Sequence, residues 1–167
     1  MTQIIGTYEL QEVLGAGRRT TVYRGQHRVI PGLEAAIKVL HAHLSDLPEV
    51  REQMRARAGV LARLRHPRIV RVLDFIEEGP QCALVVELSG GRTLEAQLQE
   101  SNPLALRQVL RVLRDLLEAV GHAHGQGIVH GELDPSAVLI SDDGQIRLLD
   151  FGAGALGAGE RTAEGSG

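Results

Sequence analysis

Lysine and cysteine are almost absent from this 167-residue sequence, and each shortage narrows what the protein can be. Of the 18 basic residues 17 are arginines, and Lys38 is the only lysine. The single cysteine, Cys82, excludes an internal disulfide. It lies in an apolar run at 82–86, which predicts a small buried hydrophobe without a redox role.

Long apolar runs and a strong excess of one charge are also missing. No segment approaches the roughly 20 apolar residues that span a bilayer, and residues 1–10 lack the basic and apolar regions of a signal peptide. The net charge of −3 gives no general attraction to nucleic acid or to an anionic membrane. We therefore expect a cytoplasmic protein, one domain or part of a larger one, with neither nucleic acid nor membrane as its partner.

The first half of the chain alternates apolar and polar residues between turns, a pattern typical of antiparallel strands. It predicts five strands, at 8–16, 20–28, 33–40, 69–77 and 81–88. Between the third and fourth strands, apolar residues recur at helical spacing and predict a helix at 46–65. His66-Pro67 ends that helix, because the residue before a proline disfavours helical geometry.

The second half is predominantly helical before it returns to short strands. Helices are predicted at 93–100 and 103–125, and strands at 138–140 and 146–149. Asn102 is the predicted N-cap of the longer helix, with Pro103 at its first position. That helix carries a broad apolar stripe between Leu106 and Val120.

Five segments carry motifs that are highly specific in combination. In chain order they are Leu14-Gly15-Ala16-Gly17, Ala35-Ala36-Ile37-Lys38, the stretch 61–70 with His66-Pro67, His130-Gly131-Glu132-Leu133-Asp134-Pro135, and Asp150-Phe151-Gly152. Over about residues 8–152 the chain resembles a bacterial-type serine/threonine protein kinase domain.

The resemblance implies an α+β, protein kinase-like fold. Its N-lobe, at 8–88, would be a five-stranded antiparallel sheet with one large helix. A partial helical C-lobe, at 89–152, would contain the hinge, two helices and the remnant of a catalytic loop, and would end after the Asp-Phe-Gly turn. Residues 153–167 would form a Gly/Ala-rich tail.

The resemblance also implies an ATP site. Lys38 matches the lysine that holds the α- and β-phosphates, Asp150 matches the aspartate that binds Mg²⁺, and Glu132 stands at the position of the catalytic base. The other implied ATP contacts, from the glycine-rich loop, the adenine pocket and the hinge, are Gly15, Gly17, Val22, Ala36, Leu139, Glu87 and Ser89. A stacked apolar column across the lobes is implied at Leu61, Leu73, His130 and Phe151, so packing alone explains the histidine.

Several matched positions carry residues that oppose phosphoryl transfer. Arg57 replaces the glutamate that pairs with the lysine, and two cations about 4 Å apart repel by roughly 4 kcal/mol at an effective dielectric near 20. Arg57 must therefore point elsewhere or meet an anion. Asp134 replaces a lysine that steadies the γ-phosphate, and Ala137 replaces an asparagine that binds the second metal. Glu132 keeps the carboxylate of the base but displaces it by one methylene, and a shift of about 1 Å can cost on the order of 100-fold in rate.

Three hypotheses follow from this mixture. The first is a pseudokinase, a regulatory or scaffolding module with residual ATP binding and without efficient transfer. The second is a weakly active serine/threonine kinase that uses Glu132 as base and Asp150 for a single Mg²⁺. The third is a protein-interaction module whose nucleotide pocket is occluded, with Arg57 in the phosphate site.

The long helix raises a separate expectation. After Gly152 the sequence has no recognisable activation segment, no Ala-Pro-Glu signature and no later helical lobe, which in the resembled family would cover this helix. Its apolar stripe would then be only partly covered, and monomers rarely expose such a patch. We therefore expect that a protein partner or a second copy covers the apolar face of the helix at 103–125, unless the chain is a fragment or the helix folds differently.

Overall fold

The computed structural model describes residues 3–100 and 104–149, which form two antiparallel sheets and four α-helices. The first sheet contains β1 (Gln3–Ile5), β2 (Tyr8–Ala16), β3 (Thr20–His27), β4 (Glu34–Leu40), β5 (Val72–Glu78) and β6 (Gln81–Glu87), in the spatial order β1-β2-β3-β4-β6-β5. The second contains β7 (Arg92–Thr93), β8 (Val138–Ile140) and β9 (Ile146–Leu148), in that order. The helices are α1 (Ala42–Ser45), α2 (Pro48–Leu61), α3 (Leu94–Leu98) and α4 (Leu106–Gly125), and a 3-10 turn spans Pro135–Ala137.

The central strand β4 shows how the first sheet obtains two apolar faces. Ala35 and Ile37 are fully buried on one face, whereas Ala36 and Leu40 are buried on the other, against α2. Successive side chains of a strand point to opposite faces. Lys38 therefore shares the face that looks toward α2, which brings the only lysine of the chain under that helix.

Helix α2 is held on the sheet by Met54, Ala58 and Leu61, three buried side chains at helical spacing. The prediction of one helix at 46–65 was wrong at both ends. Pro48 stands in the first turn, where its missing N–H costs nothing, so α1 is a separate short helix before it. After Leu61 the Leu64 N–H donates to the Leu61 carbonyl at 3.0 Å, a tight bond that closes the last turn.

The first sheet has six strands, so the prediction of five was wrong by one. The additional strand β1 pairs with β2, with Ile5 opposite Tyr8, and both side chains are buried in one cluster. Three residues are too few for alternation to be recognised in sequence, and only the pairing with β2 makes the segment a strand. At the other edge β5 begins at Val72 rather than at 69, because the chain before it bonds to the second sheet instead.

Residues 68–70 join the two sheets through the main chain. The Leu148 N–H donates to the Arg68 carbonyl at 2.7 Å, and the Val70 N–H donates to the Leu148 carbonyl at 3.0 Å. We call these two hydrogen bonds the joint. The cluster of buried apolar side chains around it draws on α2, the segment before β5, α4, β8 and β9: Leu61, Leu64, Ile69, Val112, Ala119, Ala123, Val138, Ile140, Ile146 and Leu148.

Ion pairs reinforce the joint from the side of α4. The Arg68 guanidinium lies 3.1 Å from the Asp115 carboxylate and 3.0 Å from that of Glu118. Asp115 is 1% exposed, and Arg114 lies 2.9 Å from the same carboxylate oxygen. Because an unpaired buried carboxylate would be strongly destabilising, the two arginines make this burial tolerable.

Helix α4 begins at Leu106, with Ala105 at the N-cap position and the Gln108 side chain accepting a hydrogen bond from the Ala105 N–H at 2.9 Å. The predicted start at Asn102 and Pro103 falls on residues outside the described ones. One face of α4 packs on the second sheet, whereas four leucines in a row are between 50% and 74% exposed: Leu106, Leu110, Leu113 and Leu117. We call these four the leucine row. None of the described helices is long and apolar enough to cross a membrane.

The predicted apolar column is wrong at Leu73. Leu73 is 43% exposed, whereas its neighbour Val72 packs against the buried clusters on both sides of the joint. An irregularity in the β5–β6 pairing between 72 and 74 shifts the alternation by one residue there. His130, another member of the column, is 3% exposed, and Phe151 lies outside the described residues.

The turn that leads into β7 offers a test of the backbone packing. Gly91 has φ +126°, and a Cβ on it would lie 2.6 Å from the Ile140 carbonyl oxygen. We expect Gly91→Ala to lower the free energy of unfolding by about 2 kcal/mol or more, because both the backbone conformation and the space oppose a side chain. Gly90→Ala is the matched control, since no atom lies within 4 Å of its Cβ. Urea unfolding of the two variants should separate them clearly, and equal losses would contradict this packing.

Candidate functional site

A cavity of about 420 Å³ lies between the two sheets, beside the joint. Its apolar wall comes from α2, the sheets and the joint: Met54, Leu61, Leu64, Ile69, Val70, Val72, Leu84, Val86 and Leu148. Its polar wall consists of Gly17, Arg18, Arg19, Thr20, Lys38, Arg57 and Glu132. Among the described residues, four cations and one carboxylate therefore line the cavity.

Lys38 enters the cavity from β4, where its neighbours in register are Val22 on β3 and Leu84 on β6. Burial in these apolar surroundings lowers the pKa of Lys38 to about 8. The charged amine is therefore less stable here than in water. An anion that entered the cavity would favour the protonated form and would raise this pKa.

Arg57 reaches the same cavity from α2, one turn before Leu61. Burial is the main cause that lowers the pKa of Arg57, the charge of Glu132 opposes that shift, and the charge of Arg19 adds to it. The nearby carboxylate is thus Glu132. Glu52, which precedes Arg57 on α2, instead forms an ion pair with Arg55. Of the two alternatives that the sequence left for Arg57, meeting an anion is the one that the structure supports.

Glu132 follows a histidine that serves the fold. The buried His130 donates its Nε2–H to the Leu149 carbonyl at 2.7 Å, and burial is the main cause that lowers the pKa of its imidazole. Because the next residues leave the interior, the Glu132 side chain is exposed at the cavity wall, facing the charge of Arg57. A carboxylate at the position of the catalytic base and an arginine therefore line the same cavity.

Asp134 turns away from the cavity and caps its own turn. Its Oδ1 accepts hydrogen bonds from the Ser136 N–H at 2.8 Å, the Ser136 hydroxyl at 2.5 Å and the Ala137 N–H at 3.2 Å. The hydrogen bond from the Ser136 side chain is the largest cause that lowers the pKa of Asp134. The carboxylate is committed to the 3-10 turn, so its role here is that of an N-cap.

The glycine-rich loop between β2 and β3 is only partly available to a ligand. The Gly17 N–H donates to the Thr20 carbonyl at 2.8 Å, so the loop itself uses that donor. A Cβ on Gly15 would find no atom within 4 Å, which leaves open space at that point of the loop. Close approach of a phosphate to the backbone is possible there. Arg18 and Arg19, at the tip of the loop, also line the cavity and bring positive charge to it.

The predicted adenine and hinge contacts do not line the 420 Å³ cavity. Val22 and Ala36 pack together on the helix-facing side of the first sheet, and Leu139 lies half-buried in β8. In the hinge, the Glu87 carboxylate accepts a hydrogen bond from Arg147 at 3.3 Å. The Ser89 Oγ is buried without a hydrogen-bond partner among the described residues. The binding roles of these residues stay predictions.

The described residues do not fit a magnesium site. The predicted ligand Asp150 lies outside them, and no group of three or more His, Cys, Asp or Glu side chains within 3–100 and 104–149 could hold a metal ion. The position of the second metal ligand is taken by Ala137, whose methyl group is buried and 4% exposed. Asp134 is engaged in its turn, so the prediction of a magnesium ion rests on Asp150 and stays a prediction.

Two site residues escaped the sequence reasoning. Arg18 and Arg19 were not among the predicted site residues, although two adjacent arginines at the tip of a glycine-rich hairpin were a usable signal. The presence of Arg57 and Glu132 in one cavity carried no such signal, because the two residues lie on elements that only the joint brings together.

Comparison with known proteins settles the family. A profile of the protein kinase domain matches residues 8–164. The chain belongs to the protein kinase family. This kinase domain is 36% identical to the serine/threonine-protein kinase PknA of Mycobacterium tuberculosis over 152 residues, which cover 88% of the chain and 35% of PknA. It is 37% identical to PkaA of Streptomyces coelicolor over 169 residues, or 93% of the chain and 31% of PkaA.

Solved structures give the same fold. The kinase domain of Mycobacterium tuberculosis PknI matches with a TM-score of 0.76 at 27% identity, covering 90% of this chain and 61% of that one. Rad53 in complex with AMP-PNP matches with a TM-score of 0.77 at 28% identity, covering 87% of this chain and 38% of that one. The present chain thus spans about a third of the length of the curated relatives cited. It is a bacterial-type kinase domain with a kinase-like α+β fold, and kinases in general use ATP and Mg²⁺.

The lowered pKa of Lys38 makes a testable prediction about stability. Between pH 8 and about 10.5 the unfolded chain binds more protons at this lysine than the folded chain does. The free energy of unfolding should therefore rise with pH across this window in the wild type, relative to Lys38→Met. Because Lys38 is the only lysine, no other lysine confuses the comparison. Urea titrations from pH 7 to 10.5 measure the difference, and a constant difference would refute the pKa shift.

Proposed function

We propose that this kinase domain is a pseudokinase: it binds ATP and acts as a regulatory or scaffolding module without efficient phosphoryl transfer. The observation that carries the proposal is that Arg57 and Glu132 line the same cavity as Lys38. In kinases a glutamate on the equivalent helix pairs with the lysine, and an aspartate in the catalytic loop acts as base. Here the helix supplies a cation to the cavity wall that also contains the carboxylate at the base position.

ATP binding is supported by the surroundings of Lys38. Its amine lies in a cavity where desolvation disfavours its charge, and three arginines line the same cavity. An anionic phosphate would favour the charged amine. Loss of transfer is supported by Ala137, which cannot bind a metal, and by Asp134, whose carboxylate caps a turn where kinases place a lysine. We expect the chain to act in the cytoplasm, where ATP is abundant.

Thermal unfolding with and without ATP tests the binding half of this proposal. Saturation at about 100 times Kd would stabilise the wild type by about 2.7 kcal/mol, a shift in Tm of about 5–10 °C for a domain of this size. Lys38→Ala should abolish the shift. Arg63→Ala, which changes an exposed residue outside the cavity, should retain it. No shift in the wild type would reject ATP binding and would favour an interaction module with an occluded pocket.

A weakly active kinase is the second candidate, and one observation favours it. Glu132 lines the same cavity as Lys38, so a carboxylate remains on the wall where the transferred phosphate would lie. Slow transfer to a generic peptide substrate, lost in Glu132→Gln, would support this candidate over the pseudokinase. Both candidates concern this domain alone, since the activity of any longer protein depends on parts beyond it.

The leucine row supports a further proposal, pairing with a second copy of this chain. The four leucines are spaced four, three and four residues apart, as in the seam of paired helices. Covering the eight leucines of two copies would contribute on the order of 10 kcal/mol. Association costs about 4–15 kcal/mol, so the balance allows a dimer with a Kd of tens of micromolar at best, and only if that cost is at the low end of its range.

Light scattering after size exclusion tests this pairing. We expect a concentration-dependent dimer for the wild type and a monomer for Leu110→Glu/Leu117→Glu, because each glutamate would place a charge in the seam. Arg107→Glu changes the charge of an exposed α4 residue outside the leucine row and should leave the dimer intact. A wild type that stays monomeric at high micromolar concentration would reject self-association.

A further inference from the structure

We infer that a pair of histidines, His66 and His122, makes the joint between the two sheets sensitive to pH: the joint is firm while both rings are neutral and loosens when they are protonated. The pair lies where the turn before the joint meets α4, with ring centroids 4.9 Å apart and ring planes inclined by 34°. Both side chains are half-buried, and neither lines the 420 Å³ cavity. The inference is therefore independent of the ATP binding proposed above.

The His66 ring holds the turn that leads into the joint. Its Nδ1 accepts a hydrogen bond from the Arg68 N–H at 3.2 Å, and its carbonyl accepts one from the Ile69 N–H at 3.1 Å. A ring nitrogen accepts a hydrogen bond only when it carries no proton, so the bond to Arg68 requires a neutral ring. The Arg68 carbonyl in turn accepts from the Leu148 N–H, which is one of the two bonds of the joint. Protonation of His66 thus removes a support from a residue that forms the joint.

The His122 ring is also arranged for its neutral form, although less strictly. Its Nε2 lies 2.9 Å from the amide nitrogen of Gln126, which can only donate, so this ring nitrogen must accept. The exposed Gln126 amide can turn over and present its oxygen to a protonated ring, so little is lost at this bond. The last turn of α4 also favours a cation at this end of the helix. The cost of a charge on His122 therefore arises at the neighbouring His66.

The charges around the two rings determine the direction of the effect. Two arginines and two carboxylates lie there, on the turn and on α4: Arg68, Arg114, Asp115 and Glu118. They already pair with one another, so protonation of both histidines leaves an excess of positive charge. Burial, the charge of His122 and the charge of Arg68 lower the pKa of His66, in that order of size, whereas the charge of Glu118 opposes them.

The joint should consequently weaken in mild acid. The pKa of His66 is lower in the folded chain than its ordinary value of 6.5, so the unfolded chain binds more protons just below that pH. The free energy of unfolding therefore rises with pH across this window, and the stabilisation is complete above 6.5 and lost as the pH falls. Because the lost support belongs to the turn of the joint, the bonds at Val70 and Leu148 should open locally before the whole chain unfolds. The separation of the sheets, and with it the cavity, depends on those bonds.

Amide hydrogen exchange of the full chain, followed by NMR at pH 7.5 and 5.0, tests the inference at the joint itself. We expect the protection factors of the Val70 and Leu148 N–H groups to fall in the wild type on the order of fivefold, the worth of one hydrogen bond. In His66→Asn they should stay within about twofold, because an asparagine side chain accepts from the N–H two residues on and does not titrate. His124→Gln changes an exposed histidine of α4 outside the pair and should behave as the wild type does.

A second measurement follows the coupling between the two rings. His122→Gln removes one of the two charges, so the titration midpoint of His66, read from its imidazole proton resonances, should rise. An unchanged midpoint would contradict the coupling. Constant protection in the wild type would overturn the inference, and so would a fall that persists in His66→Asn, which would assign the effect to another group such as the buried His130. If His66→Asn does not fold, the exchange comparison uses His122→Gln, whose protection should fall less than that of the wild type; an equal fall would overturn the inference.

Discussion

The joint between residues 68–70 and Leu148 is the constraint on which the rest of the structure depends. Two main-chain hydrogen bonds fix the first sheet to the second, and a shared apolar cluster with a buried, neutralised Asp115 surrounds them. The cavity exists because this joint holds the sheets at one separation. It also sets which residues of α2 face which residues of the segment after His130, so the chemistry of the site follows from the joint.

In the site that the joint holds together, the positive and negative charges differ in position from those of other kinases. A kinase places a carboxylate beside the lysine and a second carboxylate in the catalytic loop as base. This chain places Arg57 in the same cavity as Lys38, and the loop carboxylate Glu132 lies on the wall of that cavity. These changes leave no polar group of the two residues unsatisfied. The Asp134 carboxylate caps its own turn, and the Ala137 side chain is buried. A kinase fold has thus been kept while its polar site was rebuilt around cations.

The sequence predicted the central strands because their alternation is regular, and it predicted that Lys38 belongs to the site because its motif fixes the register of β4. The prediction was wrong where an irregularity in strand pairing shifts the alternation of side chains, as at Val72, which packs inside, and Leu73, which is exposed. It also missed β1, which is a strand only through its partner. The role of Asp134 as an N-cap was predictable, since Asp-Pro-Ser is a capping signature. The family resemblance instead predicted an effect on the γ-phosphate. Arg57 and Glu132 come to line one cavity only through the tertiary structure, so no local sequence pattern predicts it.

The central claim is that the domain holds ATP and leaves it intact. Equilibrium dialysis against γ-labelled ATP, followed by separation of bound nucleotide, free phosphate and protein, measures occupancy and chemical fate in one experiment. The account predicts about one ATP per chain, recovered unhydrolysed, with no label on the protein. Label that appears in phosphate or on protein at a rate that Glu132→Gln abolishes would contradict it.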